Sequence, residues 1–99
     1  MDSSDGSIRL ESKGMFELKN QLGLHARAAA QLVNVASKFK SEITVRKGEE
    51  IANGKSIMGI LMLAAPVGTL LEITAIGTDS RDALNLIGAL IDKKFGEEE

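Results

Sequence analysis

Phe16 and Leu18 alternate with Glu17 and Lys19 in MFELKN, a period of two that predicts a strand with one buried face. QLGLH then interrupts the alternation. Over residues 26–38 alanine recurs, and Ala29, Leu32, Val33 and Ala36 fall at i, i+3, i+4 and i+7, which predicts an amphipathic helix. SEITVRK returns to period two with Ile43 and Val45. Gly48 supplies a turn and EEIANG a short return strand, together a hairpin. Ser56 is placed to cap a short helix over IMGILML, which APVG, with Pro66 and Gly68, brings to an end. TLLEITAIG sets Leu71, Ile73 and Ala75 on one side of a further strand. After Gly77, Asp79 or Ser80 is placed to cap a last helix carrying Ala83, Leu84, Ile87, Leu90 and Ile91.

The resulting order is β-α-β-β-α-β-α. Strands with one apolar face each need cover on that face, and amphipathic helices laid against it provide it. The pattern therefore predicts an α+β, open-faced β-sandwich: a four-stranded antiparallel sheet with three helices on one face. The polar opening, MDSSDGSIRLESKG, predicts a flexible leader over residues 1–14, with the folded domain over 15–95 and a frayed acidic tail over 96–99.

Composition narrows the function. A chain of 99 residues, 43% of them hydrophobic, can bury one modest core. With 12 Lys and Arg against 14 Asp and Glu, the net charge of -2 offers no general attraction to nucleic acid or to an anionic membrane. The only aromatic residues are three Phe, so base-stacking platforms are missing as well. The absence of cysteine excludes disulfides and thiolate chemistry and suits a reducing, cytoplasmic setting. No apolar run approaches the roughly 20 residues needed to span a bilayer.

The chain's single histidine, His25, stands where the first helix begins, in GLHARAAAQL. The first N–H groups of an α-helix have no intrahelical partner, and their dipoles make that end positive. If His25 caps the helix, the N–H groups of Ala26, Arg27 and Ala28 lie beside the imidazole, where a phosphoryl group on a ring nitrogen could accept them. Arg27 adds a permanent charge and a planar fork of donors suited to phosphate oxygens. Gly23 lets the backbone turn tightly just upstream. A lone histidine ahead of a helix is, by position alone, most often a surface residue. Other chemistry is harder to place. A metal site needs several ligands, and no second histidine or cysteine exists; no G-x-S-x-G elbow is present for a hydrolase.

GEEIANGKS resembles a phosphate-binding loop, but Gly48 and Gly54 are separated by five residues where that loop needs four. Ser56 has a structural role available, as the cap of the short helix. Around that helix the apolar residues outnumber the positions that can face a sheet. Ile57, Met58 and Leu61 are thus expected in an apolar patch near His25, with Arg27 and Lys55 on its rim and methionine adapting to several partners.

The segments GLHARAAAQLVNVASKFKSEI, NGKSIMGILML and GTLLEITAIGTD, in that order, make the chain similar to HPr, the histidine-containing phosphocarriers of the phosphoenolpyruvate-dependent sugar phosphotransferase system. The resemblance runs from about residue 15 to about residue 93. It implies that His25 takes a phosphoryl group on Nδ1 from Enzyme I and hands it to EIIA-type acceptors, with Arg27 binding the phosphate and no cofactor. It further implies that Ser56 matches the serine phosphorylated by HPr kinase/phosphorylase in regulated members. A carrier that meets several partners in turn is expected to be a monomer and a stoichiometric carrier, not a true catalyst. The alternative is a regulatory module, nitrogen-type or catabolite-control, with little role in transport. One departure stands out: the family usually has proline where this chain has Ala28, which removes some preorganisation of the helix start.

Overall fold

In the computed structural model, which describes residues 10–97, the chain forms β1 (Glu11–Glu17), α1 (Ala26–Ala36), β2 (Glu42–Lys47), β3 (Glu50–Asn53), α2 (Ile57–Met62), β4 (Leu70–Ile76) and α3 (Ser80–Asp92), followed by a turn at Lys94–Gly96. The four strands make one antiparallel sheet in the order β1-β4-β2-β3. Because β1 and β2 both pair with β4, they run parallel with β4 between them, and α1 is the crossover that joins them. The expected open-faced sandwich, with all three helices on one face, is the fold observed.

Alternation decides which face is covered. Leu71, Ile73 and Ala75 of β4, Ile43 and Val45 of β2 and Ala52 of β3 are buried, while the residues between them are not. Against this face α1 lays Ala28, Ala29, Leu32 and Ala36, and α3 lays Ala83, Ile87 and Ile91, the i, i+4 spacing of one helix stripe. The helix α2 buries only Ile60 within its length. A Leu or Ile side chain contributes about 1.5–3 kcal/mol on full burial, so α2 depends on its cap and its neighbours as much as on its own stripe. Gly88 of α3 leaves the space taken by the Phe16 ring, which a Cβ would overlap. The other face of the sheet is open and bears charge, including the cross-strand pair Arg46–Glu72 at 3.6 Å.

Three boundaries differ from expectation. The first strand starts at Glu11, inside the segment assigned to the leader, because its inward positions there are Ser12 and Gly14, which carry no apolar signal. Its backbone is nonetheless paired with β4 up to Ile76, and the Ser12 hydroxyl meets that of Ser80 at 3.1 Å. Residues 1–9 of that leader lie outside the described residues. At the other end, Phe95 is buried at 2% exposure and holds the chain against the core, so the acidic tail is anchored up to Glu97; residues 98–99 lie outside the described residues.

The third difference is at Asp79. It occupies the cap position of α3, but neither it nor Ser80 caps by side chain. The Asp79 carboxylate instead accepts hydrogen bonds from the Lys40 N–H at 2.8 Å, from the Ser41 N–H at 3.0 Å and from the Ser41 hydroxyl. It thereby ties the entry of β2 to the start of α3. The Ser41 hydroxyl first, then the Lys40 amide, hold this carboxyl below the ordinary aspartate value of 3.8, against a smaller opposing effect of desolvation. A folded value below the unfolded one means that the contribution is complete above pH 3.8 and is lost as pH falls through the folded value. Urea midpoints of the parent and Asp79→Asn are expected to differ most near neutrality and to converge in acid. A gap that stays constant into acid would assign no stability to the charge.

Candidate functional site

The loop between β1 and α1 is fixed by its neighbours before any functional side chain is considered. Gly23 has φ +65°, and its Cβ position is filled by the carbonyl oxygen of Ala65 and by Pro66. Only glycine meets both demands. The Leu24 N–H donates to that Ala65 carbonyl at 2.9 Å, and Leu24 is buried. The loop is thus clamped to the segment that follows α2. Asn20, fully buried, donates through Nδ2 to the Gly23 carbonyl at 2.8 Å and to Glu97 Oε1 at 3.2 Å. Its Oδ1 is buried without a hydrogen-bond partner, a type of cost, about 1–3 kcal/mol, that folded proteins tolerate mostly for a reason.

His25 follows with extended backbone, φ −78° and ψ 178°, and is the N-cap of α1. Its carbonyl accepts the first intrahelical bond, from Ala29 at 2.8 Å, so the amides of Ala26, Arg27 and Ala28 belong to the unpaired first turn. Ala28 is fully buried and the helix begins at Ala26 without a proline; burial of Ala28 and Ala29 fixes the start that proline would otherwise preset. The imidazole is 26% exposed, open to a partner on one side.

Both ring nitrogens are engaged. The Arg27 N–H, which can only donate, lies 3.3 Å from Nδ1. On the other side Nε2 meets Glu97 Oε2. Burial pushes the Glu97 carboxyl up, but hydrogen bonds from His25 and Asn20, together with the charges of His25 and Arg27, outweigh it and bring the group below its ordinary 4.5. Glu97 is therefore ionised near neutrality and can only accept. One neutral tautomer satisfies both contacts: the hydrogen on Nε2, the lone pair on Nδ1. That lone pair faces the start of α1, the position a tetrahedral anion would occupy. Arg27 is exposed at the same helix start.

The sequence-predicted patch is rearranged. Ile57 and Met58 are exposed at 44% and 67%, but Leu61 is packed against the core. The Lys55 ammonium is engaged by backbone. It donates to the Phe39 carbonyl at 2.7 Å, because the negative end of α1 and its following turn attract a cation. With Leu24 bonded to Ala65 at one end and Lys55 to Phe39 at the other, α1 and α2 run antiparallel. The exposed apolar side chains nearest in the chain to the Leu24–Ala65 contact are Leu22, Met62 and Val67. Ser56 caps α2 as expected, its Oγ accepting from the Gly59 N–H at 3.0 Å. Among the described residues, no helix is long and apolar enough to cross a membrane.

Sequence reasoning missed Glu97 and Asn20. No spacing rule links His25 to a carboxylate 72 positions away, and the only available signal was the acidic tail itself.

A nitrogen lone pair at the positive end of a helix is chemically able to accept a phosphoryl group, and the chain is similar over most of its length to known proteins. The family described as "PTS HPr component phosphorylation site" matches residues 13–93. Phosphocarrier protein HPr of Neisseria meningitidis serogroup A is 47% identical over 87 residues, 88% of this chain and 98% of that protein. Phosphocarrier protein NPr of Shewanella violacea is 46% identical over 78 residues, 79% of this chain and 86% of that one. The crystal structure of an HPr from Thermoanaerobacter tengcongensis superposes with a TM-score of 0.86 at 44% identity, covering 89% of this chain and 99% of that one. The chain belongs to the HPr family of phosphocarrier proteins.

The Gly23 clamp can be tested directly. Gly23→Ala is expected to lower stability by at least 1–3 kcal/mol in thermal or urea unfolding, roughly the cost of backbone strain at such a position. It should also shift the NMR resonances of His25, since the displaced loop carries the imidazole.

Proposed function

We propose that His25 accepts a phosphoryl group on Nδ1 from phosphorylated Enzyme I and passes it to EIIA-type acceptors of sugar permeases, the protein acting as a monomeric carrier in the cytoplasm. The observation that carries this reading is the pair of contacts on the ring: the Arg27 N–H lies at Nδ1 at the helix start while the Glu97 carboxylate occupies Nε2. Uptake forms the Nδ1–P bond as the donor's P–N bond breaks, its electron pair remaining on the donor. The phosphorus then takes the place of the Arg27 amide contact, and the first-turn amides of Ala26, Arg27 and Ala28 with the Arg27 guanidinium bind its oxygens. Release to the next acceptor reverses the same bonds. The protein is regenerated at each cycle and supplies little acceleration of its own.

Ile57, Met58, Met62, Leu22 and Val67 serve this reading as the apolar surface on which the partners dock, with flexible methionine contacts adapting to more than one of them.

Incubation with phosphoenolpyruvate, Mg²⁺ and Enzyme I is expected to give one phosphoryl group per chain, labile in acid and stable in base. His25→Ala should take none. Phosphate found on serine alone under these conditions would overturn the assignment.

Ser56 is proposed as a regulatory acceptor for an HPr kinase/phosphorylase. Phosphate on its Oγ would remain at the start of α2, where negative charge is favourable, while adding roughly −1.5 to −2 charge. Because α1 and α2 are antiparallel, Ser56 is separated by the length of α2, about 9 Å of helix rise, from the end that borders the His25 loop. The effect is therefore on docking rather than on the imidazole. Ser56→Asp, which keeps a capping side chain, is expected to reduce kcat/KM for phosphorylation by Enzyme I several-fold without lowering Tm. An unchanged kcat/KM would count against regulation through this residue.

The similar identity to a protein named NPr supports a second reading, a carrier serving a nitrogen-related regulatory pathway. Phosphorylation rates with the two corresponding kinds of Enzyme I separate the readings.

A further inference from the structure

The phosphocarrier reading accounts for Nδ1 but leaves the carboxylate on the other nitrogen without a task. Glu97 lies beyond residue 93, where the family match ends, and yet its side chain is only 11% exposed. Its place is built by several independent features. Phe95, buried in the core, anchors the end of the chain after α3. Lys94, Phe95 and Gly96 all take positive φ, 59°, 56° and 77°, an arrangement that bends the chain back after α3 and that two non-glycine residues adopt at a cost. Asn20, fully buried and bonded to the Gly23 carbonyl of the histidine loop, donates to Oε1. Oε2 is thereby aimed at His25 Nε2.

We propose that Glu97 is a positioning residue for phosphoryl transfer: oriented by Asn20, its carboxylate holds the Nε2 hydrogen of His25 and offsets the positive charge that the ring gains when Nδ1 bonds to phosphorus. The proposal rests on the phosphocarrier reading. When the Nδ1 lone pair forms the N–P bond, the hydrogen stays on Nε2 and the ring becomes cationic. An ionised acceptor on Nε2 stabilises that cation more than it stabilises the neutral ring, which is the differential interaction that speeds a step. It also keeps the ring from turning its protonated nitrogen toward the incoming group, as partners on one nitrogen of a histidine fix the role of the other. The positive charge of Arg27 also favours the ionised form of this carboxylate.

The test compares the parent with Glu97→Gln, which keeps size and an acceptor oxygen but removes the charge, and with Glu97→Asp, which keeps the charge on a shorter arm. Two readouts are taken. In the unphosphorylated protein, ¹⁵N NMR of the ring is expected to show hydrogen on Nε2 and none on Nδ1, with the Nε2–H resonance protected from exchange with solvent. Glu97→Gln should lose that protection. In transfer from phosphorylated Enzyme I, kcat should fall about tenfold in Glu97→Gln with KM little changed, the size expected when one charge-assisted hydrogen bond is lost, and Glu97→Asp should recover part of it. A merely structural tail contact would change Tm and the ring signature but leave kcat as it is. If the parent is phosphorylated on His25 and Glu97→Gln matches it in kcat, the role of Glu97 in transfer is refuted and the carrier reading stands. If the parent itself takes no phosphoryl group on His25, both are refuted.

Discussion

An α-helix cannot satisfy the first N–H groups of its own backbone, and in this chain that deficit is placed beneath an imidazole. Everything else around the site keeps it there. The extended backbone of His25 ends the loop and starts α1 in one residue, and the buried alanines behind it pin the helix to the sheet. The clamp between residues 23–24 and residues 65–66 prevents the loop from lifting. Because the amides are fixed in direction before any ligand arrives, binding an anion there requires little reorganisation.

The sheet contributes by being one-sided. With the helices on a single face, the start of α1 lies at an end of the sheet, where the segment at residues 65–66 and Glu97 border the histidine loop and the imidazole stays 26% exposed. Cover on both faces, as in a doubly wound fold, would have favoured a crevice and a bound small molecule. Apolar residues are left outside α2 and its following segment, since a six-residue helix cannot turn all of IMGILM inward.

Much of this architecture is legible from the chain alone, for a physical reason: where a helix or strand buries a stripe, the stripe must be apolar at a fixed period. Ala29, Leu32 and Ala36 reveal α1, and Leu71, Ile73 and Ala75 reveal β4. The cap residues His25 and Ser56 are legible too, because capping is a local act between a side chain and amides two or three residues on. What escapes is whatever periodicity does not encode. The upstream part of β1 turns Ser12 and Gly14 inward, so its pairing with β4 leaves no apolar trace. The Asp79 carboxylate has local amides available and chooses remote ones, on Lys40 and Ser41. Lys55, adjacent to the cap of α2, finds the carbonyl of Phe39. Glu97 meets Asn20 and His25 only after the whole chain has closed. In each of these cases the deciding partner is far away in sequence, and the hydrogen bond leaves no periodic mark.

The strand order has a consequence for biosynthesis. The two inner positions of the sheet belong to β2 and β4, and among the described residues β4 is the last strand, yet it provides the only sheet partner of β1. A nascent polypeptide that has emerged through residue 69 therefore holds a hairpin and an unattached first strand. The sheet cannot grow one strand at a time behind the ribosome. β1 can join only once β4 is available, and until then Phe16 and the apolar stripe of α1 lack part of their cover.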